Sequence, residues 1–173
     1  VLLPLLRAEG VPVDTVLLSH RDTDHTGGAA AVLAMQPQAA LLSSLEPAHP
    51  LRALRAEPRR CEGGQAWDWD GVHFELLHPL AADYETAVKP NALSCILRVS
   101  NGRASALLAG DIERPQEQAL VARSAAGTLR TDVLLAPHHG SKTSSSPALL
   151  DAVQPHLVLV QAGWHNRFGH PAP

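Results

Sequence analysis

His20, Asp22, Asp24 and His25 stand within six positions, in the stretch SHRDTDH at 19–25. Imidazoles and carboxylates packed this closely repel or desolvate one another unless a cation lies among them. A divalent ion reverses the penalty, because its ligands must be deprotonated and the ion holds them so. Four such groups exceed what one ion needs from a single loop if further ligands arrive from elsewhere. Two ions about 3.5–4 Å apart would use them all. A solvated polar loop with a helix-capping aspartate is the bland alternative, and a lone HxD favours it. HxDxDH behind an apolar run and ahead of Thr26-Gly27-Gly28 points to metal.

Three more groups suit the same chemistry from far along the chain. Asp111, in LLAGDIE, follows an apolar run and a glycine, where an acid either caps a helix or bridges two ions. His138 and His139, in APHHGSKTSSS, follow another such run; either imidazole can complete the second ion, and His138 is the favoured one. Ser141 and Lys142 lie just beyond, in a serine-rich stretch suited to a substrate-facing loop, with Lys142 able to meet an anionic group. His170, in NRFGHP, reads as a ligand, a substrate contact or a surface histidine. Asn91 and Ser94, in KPNALSC, read as turn residues or as supports behind the ligands. The remaining histidines, the Trp67/Trp69 pair and the arginine-bearing run 51–60 are assigned to packing or to solvated surface.

The elements that must position these residues follow from patterning. VLLPLLRAEG (1–10) reads as a helix closed by Gly10, and VDTVLL (13–18) as a buried strand feeding the cluster. TGGAAAVLAMQ (26–36) reads as a helix stopped at Pro37, and AALLSS (39–44) as a strand; a short helix is expected within 46–60. WDWDG-VHFEL is a hairpin around Asp-Gly, and SCILRV with ASALLAG a second one around Asn101-Gly102. Helix 113–124, strand 131–137, helix 147–153 and strand 156–163 complete the chain before an irregular end. Hairpins in the middle and alternating helices and strands at both ends predict a mixed sheet, or two sheets with helices outside. Polar groups collect at the carboxyl ends of three strands, where α/β folds build ligand sites.

With 173 residues and 45% apolar content, the chain suits one globular domain, 1–173. A net charge of −3 lacks the bulk basicity of an electrostatic nucleic-acid binder, but a metal pair would add about four positive charges at one spot. The start at Val1, without a charged leader region, reads as a piece of something longer. Cys61 and Cys95 have no CxxC spacing; a free buried pair is expected, with a disulfide as the alternative.

Taken together, HRDTDH, GD and HH in this order resemble the metallo-β-lactamase fold, whose signature is HxHxDH, a histidine, a bridging aspartate and a final histidine. Asp22 replaces the second signature histidine, and the middle histidine is absent where Asn91 and Ser94 stand. With these departures, S-H-x-D-x-D-H-x-G-G, N-x-x-S, L-x-G-D, H-H-G-S and N-R-F-G-H-P resemble the ComEC-type competence proteins, membrane channels that bring single-stranded DNA into transformable bacteria.

The resemblance implies an α+β/α/β mixed fold, a metallo-β-lactamase-like αββα sandwich lacking its first strands. It implies one ion on His20, Asp22 and Asp111 and another on Asp24, His25, Asp111 and His138. It also implies a nuclease that degrades the non-transported DNA strand, as a soluble domain facing outside the cytoplasm, attached to a membrane channel of the same protein. The expected partner is single-stranded DNA, with no small-molecule cofactor.

The expected chemistry is metal-dependent phosphodiester hydrolysis. Asp24 orients the attacking water, Lys142 stabilises phosphate charge, and His139 or His170 protonates the leaving oxygen. The aspartate-rich ligand set shifts preference toward manganese, with zinc or magnesium as alternatives. Two rivals stay open: a hydrolase of a lactam, thioester or lactone, and a degenerate domain that binds DNA or a partner.

Overall fold

The computed structural model describes residues 2–86 and 89–173. Val1, at the start of the first expected helix, lies outside the described residues. Contacts divide the chain into two compact units, Val1–Cys61 and Glu62–Pro173.

The first unit opens with helix α1 (Leu2–Glu9), closed as the sequence predicts by Gly10, whose N–H bonds to the Leu6 carbonyl. Strands β1 (Thr15–Leu18) and β2 (Ala40–Ser43) pair in parallel, Thr15 opposite Ala40 and Leu18 opposite Ser43. A two-residue strand, β3 (Arg59–Arg60), extends the sheet beside β2. Two helices connect β1 to β2: α2 (Thr23–Thr26) and α3 (Ala29–Met35).

The sequence predicts one helix from 26 to 36, and the break has a local cause. Two glycines stand at the break, Gly27 and Gly28, which weaken a helix interior, and a Cβ on Gly27 would stand 2.7 Å from the Thr23 carbonyl oxygen, so a side chain there would force the turn to shift. Leu18, Ala29, Leu33, Leu41, Leu45 and Leu51 form the core, with Val16 packed against it. Each fully buried leucine contributes about 1.5–3 kcal/mol by leaving water.

The arginine run is partly structural. Arg55 donates to the carbonyls of Ala39, Leu33, Gln36 and Leu54, and Arg52 to that of Pro58. Arg55 thus neutralises carbonyls at the C-terminal end of α3, where the helix dipole favours a cation. The expected short helix in this region is a 3-10 turn over Pro50–Leu54.

The second unit holds one sheet in the order β4-β5-β6-β7-β8-β9. Strands β4 (Ala66–Trp69), β5 (Val72–His78), β6 (Ile96–Ser100) and β7 (Ser105–Leu108) form an antiparallel meander. Trp67 stacks on Phe74 across the first hairpin, with centroids 5.3 Å apart, as the packing reading expects. The second hairpin turns through Asn101, whose side-chain oxygen accepts from the N–H groups of Arg103 and Ala104.

Strands β8 (Val133–Leu135) and β9 (Leu157–Leu159) then add in parallel, reached through helices α5 (Arg114–Arg123) and α6 (Pro147–Val153). A short helix, α4 (Asp83–Thr86), follows β5. Ile96, Leu107, Ala109, Ile112, Leu120, Leu129, Leu134, Leu149 and Val153 form this unit's core.

Neither cysteine is free: Cys61 and Cys95 are disulfide-bonded, which corrects the expectation of free buried thiols. Spacing along a chain says nothing about the separation of residues brought together by tertiary folding. Among the described residues, no helix is long and apolar enough to cross a membrane.

Candidate metal centre

In the first unit, β1 delivers its polar carboxyl end directly into the cluster. His20 is almost fully buried, at 1% exposure. Its Nε2 lies 3.5 Å from an Asp22 carboxylate oxygen, and Asp22 is about half exposed. Asp22 stands at the N-cap of α2, yet its side chain does not cap. Its carbonyl does the work instead, accepting from the N–H groups of His25 and Thr26 and from the Thr26 hydroxyl. The carboxylate is thereby left for other partners.

Asp24 and His25 are successive residues of α2, and the helical turn lets both face one side. His25 Nε2 is 3.7 Å from an Asp24 oxygen. The His20 and His25 rings lie 4.2 Å apart, and Ser19 Oγ stands 3.1 Å from the Nδ1 of the first and 3.0 Å from that of the second. Ser19 itself is held by Ser44, whose hydroxyl donates to its carbonyl at 2.6 Å.

In the second unit, register explains convergence. Leu108 of β7 pairs with Leu135 of β8, so residues three and four beyond each strand emerge side by side. Those are Asp111 on one strand and His138 and His139 on the other. Asp111 is 4% exposed, and its N–H donates to Ser94 Oγ at 3.0 Å, with Ser94 fully buried. His139, not the favoured His138, meets Asp111: His139 Nε2 is 3.4 Å from Asp111 Oδ2. His139 Nδ1 is 2.7 Å from the Gln161 carbonyl oxygen, which can only accept, so Nδ1 carries the proton. In its neutral form the ring turns the Nε2 lone pair toward a carboxylate oxygen. A cation between the two atoms resolves that contact, and a backing carbonyl of this kind is a familiar support for a metal-binding histidine.

His138 has different company. Its Nδ1 lies 3.6 Å from Glu113 Oε1 and 3.3 Å from Thr143 Oγ1, and its Nε2 lies 3.5 Å from Asn91 Nδ2. Both histidines adopt left-handed backbone, with φ of 51° and 56°. Two consecutive non-glycine residues in that region cost about 1–2 kcal/mol each. Hydrogen bonds hold the strained turn: His138 N–H to the Gly110 carbonyl, Ser141 N–H to that of His138, and Ala172 N–H to that of Gly140. Gly140 completes the turn at φ +75°, and a Cβ there would come within 2.9 Å of Pro171.

His170 joins this group. Its ring lies 5.7 Å from that of His138 and 6.4 Å from that of His139. Its Nδ1 is buried and, among the described residues, has no hydrogen-bond partner, the kind of orphan that a ligand would satisfy. Burial, reinforced by the neighbouring His138 and His139, holds its pKa below the usual imidazole range, with Asp111 opposing. Asn166 fixes the segment by donating to the His170 carbonyl and accepting from its N–H.

Ser141 is buried and its hydroxyl pairs with Thr143, whereas Lys142 is exposed and its carbonyl accepts from Arg114. Sequence reasoning missed Ser19, Glu113, Thr143 and Glu117. The buried Glu117 accepts from the N–H groups of Ser145 and Ser146, tying down the loop that follows the two histidines. Ser19 opens the S-H-x-D-x-D-H pattern, but no role follows from that position alone; the other three have contacts five to thirty positions away that the order of residues does not mark.

Each cluster's donors, imidazole nitrogens and carboxylate oxygens, suit a divalent ion. The ligand atoms of Asp24 and His25, and those of Asp111 and His139, lie within 4.8 Å of each other in each pair.

The sequence profile of the Metallo-beta-lactamase superfamily matches residues 2–164. Recombination protein 2 of Haemophilus influenzae is 36% identical over 173 residues, covering 98% of this chain and 20% of its own length. Competence protein ComA of Neisseria gonorrhoeae is also 36% identical, covering 98% of this chain and 23% of its own. The chain thus spans about a fifth of the length of these curated relatives. Among solved structures, CmlA, a diiron beta-hydroxylase from Streptomyces venezuelae, shares the fold at a TM-score of 0.54. That match has 13% identity and covers 85% of this chain and 35% of CmlA.

Proposed function

The chain belongs to the metallo-β-lactamase superfamily, and from that premise we propose that it is a metal-dependent phosphodiester hydrolase acting on DNA during uptake. The observation that carries the reading is the identity, over nearly the whole chain, with relatives named for competence and recombination. The proposed ligands are His20, Asp22, Asp24 and His25 from the first unit's loop, and Asp111 and His139 from the second's. Each set would hold a divalent ion. His139 replaces the favoured His138 in this set because His139 is the imidazole beside Asp111.

When bound, the ions would supply Lewis-acid activation of water and of the phosphate. The chain's own groups do the rest. Asp24, largely exposed, is placed to accept a proton from an attacking water. His138, backed by Glu113 and Thr143 at Nδ1, presents Nε2 as the proton donor to the leaving oxygen, with His170 beside it. Asn91 Nδ2 lies 3.5 Å from that nitrogen, a contact it gives up when Nε2 carries the proton, and Lys142, on the exposed part of the loop, meets the phosphate's charge. Three carboxylates among the six ligands supply hard oxygen and shift preference away from zinc, so the preferred ion is proposed to be manganese, with magnesium or zinc as substitutes.

The partner is proposed to be single-stranded DNA delivered to a channel in the same longer protein, and the domain to face outside the cytoplasm. The oxidised cysteines support that placement, because disulfides persist in oxidising compartments. The test uses metal-stripped chain, labelled single-stranded DNA and a chromogenic lactam, with manganese, magnesium or zinc added in turn. DNA cleavage with manganese, abolished by Asp24→Ala, is the expected result. Lactam turnover without DNA cleavage would replace the reading with a small-substrate hydrolase. Equal, negligible cutting by wild type and mutant would leave a binding domain.

A further inference from the structure

Ser19 has no part in the ligand set, yet its hydroxyl lies within hydrogen-bond reach of both imidazoles of the first cluster, at 3.1 Å from His20 Nδ1 and 3.0 Å from His25 Nδ1. A hydroxyl owns one proton and two lone pairs. It can therefore donate to only one of the two rings, and at least one ring must donate its own Nδ1–H to Ser19. When both rings donate, the hydroxyl accepts twice. Both Nε2 atoms are then unprotonated, with Asp22 and Asp24 oxygens 3.5 and 3.7 Å from them.

We propose that Ser19 is a positioning residue that sets the tautomer and orientation of His20 and His25 together, presenting both Nε2 atoms to metal. The inference rests on the proposed metal centre and adds a component to it. Two features make Ser19 suited to the task. It is the last residue before the cluster and directly follows β1, so its backbone is fixed by the sheet on one side. On the other, the Ser44 hydroxyl holds its carbonyl at 2.6 Å, from the residue that follows β2, the neighbouring strand. The hydroxyl is thus supported by two strands. The ring pair it joins is close and tilted, at 4.2 Å and 49°. One polar atom consequently locks two side chains five positions apart, which separate backing groups could not do in so small a space.

Metal affinity is measured on the full chain by competition with a chromophoric chelator, for Mn²⁺ and Zn²⁺, in wild type, Ser19→Ala and Ser19→Thr. Loss of such an outer support typically weakens metal binding about 10–100-fold. Ser19→Ala is expected to fall in that range, and Ser19→Thr, which keeps a hydroxyl, to recover to within about threefold. Long-range ¹H–¹⁵N spectra of the histidine side chains supply the second readout. With Zn²⁺, His20 and His25 should both show Nδ1–H and Nε2 ligation in wild type. Equal affinity of Ser19→Ala and wild type, or ligation of either ring through Nδ1, overturns the inference.

Should wild type bind neither ion, the proposed function fails and the metal-free spectra alone decide this inference. At pH 8, at least one of the two rings should be Nδ1–H in wild type and should lose that preference in Ser19→Ala. An unchanged tautomer ratio overturns it.

Discussion

Replacing Glu117 by glutamine tests how the loop after the two histidines is held. The Glu117 side chain is fully buried on α5. Its two oxygens accept from consecutive backbone N–H groups, Ser145 at 2.6 Å and Ser146 at 2.8 Å. Ser146 is the N-cap of α6, so the carboxylate also sits at the positive end of that helix. Hydrogen bonds to a charged group are worth about 1.5–3 kcal/mol each. Glutamine keeps the shape and one acceptor but turns an NH₂ group toward the other N–H, so one bond is lost and a buried donor is left facing a donor. The lost bond and that uncompensated donor, at about 1–3 kcal/mol, together give an expected cost of about 3–5 kcal/mol. Against a total stability of about 5–15 kcal/mol, this is a large fraction.

Urea unfolding followed by circular dichroism reads the loss directly, as a lower midpoint at unchanged slope. Because residues 141–146 run straight on from His138 and His139, metal affinity should fall as well. Glu117→Asp, whose shorter side chain pulls back from both N–H groups, should lie between wild type and Glu117→Gln. A stability loss under about 1 kcal/mol in Glu117→Gln would refute the reasoning, since it would mean the carboxylate does not carry the loop.

Ser94→Ala removes the buried hydroxyl that accepts from the Asp111 N–H, and should cost about 1–3 kcal/mol in urea titration. His78 is buried, with Nε2–H donating to the Ala92 carbonyl and Nδ1 accepting from Arg123. Burial lowers its pKa from the ordinary 6.5, Arg123 adding to and Asp83 opposing the effect. The unfolded chain therefore binds the extra proton first. The contribution is intact above pH 6.5 and is lost as pH falls below that value, levelling off under the folded pKa. His78→Gln should flatten the urea midpoint between pH 7 and pH 5 relative to wild type, and parallel curves would count against it. Thiol titration of the denatured chain should find no free cysteine before reduction and two afterward.

Much of the architecture can be read from apolar spacing alone. VDTVLL, AALLSS, ASALLAG and TDVLLAP are short runs bounded by polar or turn residues, and each contains a strand. The helix expected at 113–124 and the one at 147–153 form nearly as read, because their prolines sit in the first turn and Glu113 and Ser146 stand at the N-cap positions. The misreadings differ in cause. The single helix at 26–36 splits at Gly27-Gly28, and its first part starts earlier, at Thr23, where Asp22 takes the N-cap position. The choice between His138 and His139 depends on a left-handed turn that no propensity assigns to histidine. The cysteines are linked by tertiary approach, and Ser19 acquires its role because two rings meet over one hydroxyl. Residue chemistry named the loops; only three-dimensional contact distinguished the neighbours within them.

The backbone at 138 and 139 sets what replacement can achieve there. Glycine and asparagine enter that conformation more readily than histidine does. A library of variants sorted for folding alone should therefore enrich His138→Gly or His139→Asn, gaining on the order of 1 kcal/mol apiece. Sorted for turnover, the same library should return the imidazoles. The distance between those two winners measures what this turn gives up in robustness so that its rings can face an ion and a leaving group.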